Sequence, residues 1–232
     1  MAAADELAAA GMVSGMGGRP SRAGLDPVRA RRRLIIDICR RRVRPGTGSD
    51  LTSLMRGRYG MVWPSLDPIL APIRWAVIGA VATRHYMPER ATRDLGVAVC
   101  AEDAEEVRKR LAGAGWRQVG DLTVGGATWE GPQGESLDVL EGWEEWWGKA
   151  LEMAARSRDP RGLPILPLPY LVLTKLRAGR LQDIGDVGRM LGLADDAALA
   201  DVRRVVSDES AEDAEDLEAL IALGRLETRA GS

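Results

Sequence analysis

Two aspartates in strand-like settings, and a glycine between a strand and a helix, are the residues best placed for chemistry. The apolar run Trp75-Ala76-Val77-Ile78 ends at Gly79, and a helix-compatible segment from Ala80 to Met87 follows. The turn Pro88-Glu89-Arg90 then leads into a second apolar run whose polar residue is Asp94. Strand, glycine and helix together suit a phosphate, because a helix N-terminus offers free N–H groups and the positive end of its dipole. The glycine lets the backbone approach the ligand. Asp94, at the start of the second run, could bind a metal ion that the phosphates also touch. Asp138 lies between Leu137 and Val139 in a third strand-like run, Ser136 to Leu140. A carboxylate buried there without a purpose would be costly.

Cations of two kinds stand near these positions. Arg84 and Arg90 could contact phosphate, or Arg90 could orient Asp94. Lys175 sits on a helix among Leu171, Val172, Leu173 and Leu176, where it must either snorkel to solvent or meet an anion. Arg180, Asp183 and Asp186 are spaced for salt bridges within one helix. His85 reads as a solvated helix residue, and Trp143, Trp146 and Trp147 read as core rather than as a base-stacking platform.

Four segments in order resemble one family. They are Gly79-Ala80 after the first strand, Arg90-Ala91-Thr92-Arg93-Asp94 before the second, and Leu137-Asp138-Val139-Leu140. The fourth runs from Leu168 through Lys175 and Arg180 to Asp183 and Asp186. Over residues 61–226 the pattern is similar to the nucleotidyltransferase superfamily, the polymerase-beta-like fold, and within it to small bacterial members that include abortive-infection toxins. The resemblance implies an α/β N-terminal domain with a mixed sheet over 61–160, followed by an all-α helical domain over 161–232. Residues 1–60 would be an Arg-rich, partly disordered extension.

The same resemblance implies an activity. An NTP would donate its nucleotidyl group to a hydroxyl on RNA (tRNA included) or protein, with Mg²⁺ held by Asp94 and Asp138. Gly79, Ala80, Arg84, Arg90 and Lys175 would bind the nucleotide, with Lys175 on the triphosphate. Such in-line transfer depends on positioning and charge stabilisation, commonly by paired metal ions. Two positions depart from the family. Its second strand usually carries Asp-x-Asp, whereas this chain has Asp94-Leu95-Gly96, and a serine often stands where Ala80 does. Positions 94 and 96 share a strand face, so Gly96 removes a ligand from the same side. A non-catalytic relative that binds a nucleotide or a protein partner, as in a toxin–antitoxin pair, is the competing expectation.

Composition narrows the classes. The chain has 232 residues, 45% hydrophobic and 28% charged, as in ordinary soluble domains. Phe is absent, and Lys109, Lys149 and Lys175 are the lysines. Cys39 and Cys100 are far apart, which offers neither a disulfide framework nor a zinc motif. With His85 as the one histidine, a Ser-His-Asp triad is not expected. The N-terminus lacks a signal-peptide pattern, and the apolar run Leu163 to Leu173 is too short to span a membrane, so a cytoplasmic location is expected.

Charge is uneven along the chain. Residues 1–60 hold twelve arginines against five acids, whereas the whole chain carries −2. A helix opened by Asp26-Pro27 carries Arg29, Arg31, Arg32, Arg33, Arg40, Arg41 and Arg42, with Arg44 just beyond. Arg29 to Arg44 thus suggest contact with nucleic acid or an acidic partner; the alternative is an appended segment, with Met55 or Met61 the natural start. Oligomeric state is not legible.

Overall fold

The computed structural model describes residues 26–42, 65–87 and 95–228. In chain order, helix α1 (Pro27–Arg42) and the short helix α2 (Asp67–Leu70) precede strand β1 (Trp75–Ile78) and helix α3 (Gly79–Tyr86). Strand β2 (Leu95–Cys100) leads through a 3₁₀ turn into helix α4 (Ala104–Gly113). Strands β3 (Arg117–Asp121), β4 (Gly126–Glu130) and β5 (Ser136–Gly142) follow as consecutive hairpins. The rest is helical: α5 (Trp146–Arg156), α6 (Leu168–Ala178), α7 (Leu181–Leu193), α8 (Asp196–Glu209) and α9 (Ala214–Thr228).

The five strands form one mixed sheet in the order β1-β2-β5-β4-β3. β2 and β5 run parallel and the other neighbours antiparallel. Parallel neighbours need a crossover, and α4 with the β3–β4 hairpin supplies it. Val77 also bonds outward, from its N–H to Pro164 O (2.7 Å) and from its carbonyl to Leu166 N–H (3.0 Å), so the segment before α6 extends the sheet beside β1. Val97, Val99, Leu137 and Val139 are buried, as the apolar character of β2 and β5 requires. α5 packs on β1 and β2 through Trp146, Trp147, Ala150, Leu151 and Ala154, which share one helical face.

α3 joins the two halves, packing on β1 and β2 on one side and on α6 and α7 on the other. Its last residue helps fix it: Tyr86 Oη donates to Leu166 O at 3.0 Å, and burial pushes the phenol up to about 12. α7 and α9 approach closely at Gly224, where a Cβ would collide with the backbone of Gly188 and Gly192.

α1 is built into this helical half. It packs on α7 and α9, with Arg32 and Ile36 buried. Arg32 donates from Nε to Asp216 (2.7 Å), from Nη1 to Leu176 O (2.6 Å) and from Nη2 to Asp213. Arg29 pairs with Glu212 and Asp213, and Arg33 with Asp216. The Arg-rich helix therefore belongs with the C-terminal bundle, where its charge meets the acidic start of α9. The rest of the N-terminal extension, residues 1–25 and 43–60, lies outside the described residues.

Asp195 caps α8, accepting from Ala198 N–H at 2.7 Å. Ser210 does not cap α9: its hydroxyl bonds Asp213 at 2.7 Å, and a 3₁₀ turn intervenes. Among the described residues, no helix is long and apolar enough to cross a membrane.

Candidate functional site

One row of residues crosses the sheet at the end where β1 finishes and β2 begins. Ile78 faces Gly96 across the antiparallel β1–β2 ladder. Gly96 faces Asp138 across the parallel β2–β5 ladder, and Asp138 faces Thr128 on β4. Directly paired residues project to the same side of a sheet, so these four share one face. Asp138 and Thr128 are half-buried, and Thr128 Oγ1 donates to Asp138 Oδ1 at 2.7 Å. Sequence alone gave no signal for Thr128, since its pairing with Asp138 exists only once the register is set.

Gly79 follows Ile78 immediately and has φ +64°, the left-handed region that favours glycine. No atom lies within 4 Å of where its Cβ would be, so the requirement is conformational rather than spatial. This turn starts α3 one residue beyond the row. The first N–H groups of that helix, at Gly79 and the half-buried Ala80, therefore stand beside the β-strand end that carries Gly96 and Asp138. Arg84 lies one turn further along α3, half-buried and without an ion pair among the described residues. Asp94 and Arg90 lie outside the described residues.

Gly96 is open on its own face. A Cβ there would meet Ile78 Cγ1 at 3.4 Å, an ordinary contact, and no backbone strain opposes a side chain. The glycine is thus not demanded by packing.

Lys175 is placed differently. It is buried, with Nζ 3.1 Å from Asp183 Oδ1 and 2.8 Å from Asp186 Oδ2. Arg180 closes the cluster, donating from Nε to Asp183 Oδ2 at 2.6 Å. The expected helical pairing holds for Arg180 and Asp183, while Asp186 turns to Lys175. These two aspartates are the anions that Lys175 meets in this structure.

The other residues singled out in the sequence differ in exposure. His85 is exposed and makes an edge contact with Tyr86. Trp146 and Trp147 are buried and stacked, whereas Trp143 is exposed. Of the arginines on α1, Arg29, Arg32 and Arg33 are spent on acids, while Arg31, Arg41 and Arg42 are exposed. Arg44 lies outside the described residues. Cys100, Glu102 and Asp103 also bring three ligand atoms together at the far end of β2, away from the Asp138 row.

No family model matches the chain, and no curated protein does. Solved structures similar to it include the solution structure of the antibiotic-resistance factor ANT(2'')-Ia. It is 16% identical, covers 76% of this chain and 93% of its own, and superposes with a TM-score of 0.40. The crystal structure of ANT(2'')-Ia with adenylyl-2''-tobramycin is also 16% identical, over 66% of this chain and 87% of its own, with a TM-score of 0.34.

Proposed function

We propose that this chain is a nucleotidyltransferase-fold protein that binds an NTP with Mg²⁺ where α3 starts and β2 and β5 lie side by side. The observation that carries the reading is the register: Gly79 opens α3 one residue after Ile78, in a row that runs through Gly96 to Asp138. Helix N–H groups for phosphate and a carboxylate for metal thus stand at neighbouring strand ends.

Asp138 fits a metal ligand. One oxygen accepts from Thr128 and the other has no partner among the described residues. Mg²⁺ is commonly bound through one or two carboxylates together with substrate phosphates and water, so Asp138 and Asp94 suffice for one ion. When bound, the ion would neutralise phosphate charge during transfer of a nucleotidyl group to a hydroxyl. Arg84 and Arg90 would contact phosphate. A nucleic-acid acceptor would meet the chain at Arg31, Arg41 and Arg42, and a protein hydroxyl is the other acceptor class. Lys175, whose charge Asp183 and Asp186 already answer, would reach the triphosphate only after leaving them.

Gly96 favours a second reading, in which the protein binds the nucleotide, or a protein partner such as an antitoxin, without catalysis. It leaves the Asp138 row one carboxylate short of the family pattern.

Nucleotide binding is tested by melting. Mg²⁺ with an NTP should raise Tm, because a ligand that binds only the folded state stabilises it, by about 2.7 kcal/mol at a hundredfold excess over Kd. Asp138→Ala should remove the shift. No shift with any NTP at millimolar concentration overturns the reading, and a shift without transfer to RNA or protein selects the non-catalytic one.

A further inference from the structure

Among the described residues, Thr128 makes one side-chain bond, and it goes to the carboxylate on which the proposed metal site depends. Its hydroxyl donates to Asp138 Oδ1 at 2.7 Å from the neighbouring strand β4. On the other side of Asp138 stands Gly96, which has no side chain to compete for the carboxylate. A carboxylate free to rotate could present both oxygens to a metal ion. One held by a hydroxyl keeps a single orientation, because rotation would break that bond.

We infer that Thr128 is a positioning residue: its bond to Asp138 Oδ1 fixes the rotation of the carboxylate and holds Oδ2, which has no partner among the described residues, in place for a divalent ion. This rests on the nucleotide and metal reading given above. The consequence is a carboxylate presented to the ion in one orientation, with one ion per chain, since Gly96 supplies no carboxylate for a second ion. Hydrogen-bond partners that orient a metal ligand typically change metal affinity about 10–100-fold.

The test uses Mn²⁺, whose paramagnetism reports binding directly, titrated into the full chain and followed by electron paramagnetic resonance. Wild type should bind one Mn²⁺. Thr128→Val, which keeps the shape but removes the hydroxyl, should weaken binding about tenfold or more, and Thr128→Ser should retain it. The melting temperatures of wild type and Thr128→Ser without metal should agree, which separates positioning from packing. If Thr128→Val binds Mn²⁺ as wild type does, or Thr128→Ser loses it as Thr128→Val does, the inference is overturned while the proposed function stands. If wild type binds no Mn²⁺ and no NTP shifts its melting, the proposed function falls and the inference with it. Two Mn²⁺ per chain overturns the stoichiometry.

Discussion

Lys175 Nζ lies 2.8 Å from Asp186 Oδ2 and 3.1 Å from Asp183 Oδ1, in a setting where all three residues are buried. A lysine so enclosed is held by its partners, and they by it, because an unpaired buried charge is costly. Lys175→Met should therefore destabilise the protein without any nucleotide present, by about 3 kcal/mol in urea unfolding. A loss confined to nucleotide binding, with stability unchanged, would show that the ion cluster is dispensable to the fold and that Lys175 serves a ligand.

Arg32 should behave more severely. Its guanidinium is almost fully enclosed and bonds Asp213, Asp216 and the carbonyl of Leu176. Arg32→Ala takes the enclosed guanidinium from two buried carboxylates, leaving Asp213 to Arg29 and Ser210 and Asp216 to Arg33, which should cost about 3–5 kcal/mol. Removal of residues 1–60 should act in the same direction, since it takes α1 away from the acids it answers. An unchanged unfolding midpoint for either variant would show that α1 is not bound to the bundle in solution.

Acid should find the same contact. Burial alone would raise Asp213, but the Ser210 hydroxyl and the guanidiniums of Arg32 and Arg29 outweigh it and hold the carboxyl below its ordinary value. A group depressed in the folded state contributes stability that is fully present above its unfolded value, about 3.9 for Asp. That contribution is lost as pH falls from there through the folded value. Stability measured between pH 6 and 3 should drop more steeply in wild type than in Asp213→Asn, which is less stable at neutral pH. Parallel curves would exclude Asp213 from the acid response.

The sequence already showed the elements that position the site. Trp75 to Ile78 has the limits its apolar pattern suggested, Lys175 lies on a helix, and Gly79 stands at the turn between strand and helix. Those signals are local: period, flanking glycine, propensity. What sequence could not display was which distant residues meet. Arg32 and Asp216 are 184 residues apart, and nothing in an arginine-rich helix distinguishes an inward guanidinium from a solvated one. Composition alone made that helix look like a detached extension. Likewise, Thr128 and Asp138 become partners only when the β4–β5 register is known.

Gly96 offers the most direct experiment on the site. It pairs with Asp138 across the parallel ladder, it has room for a Cβ against Ile78 Cγ1, and its backbone needs no glycine. Gly96→Asp should therefore fold, and it should place a second carboxylate next to the first on the same face. If Asp138 binds a metal with nucleotide, the added charge should tighten Mg²⁺ binding and raise Mg²⁺-dependent transfer to an acceptor hydroxyl. Two carboxylates acting on shared metal cannot contribute independently, so the gain should vanish in Gly96→Asp/Asp138→Ala. Gly96→Asn supplies similar size without the charge and should give no gain. Both readouts are needed: a rise in metal affinity without transfer would assign the site to nucleotide binding alone. If Asp and Asn at this position behave alike in both, the row through Gly96 and Asp138 is not a metal site.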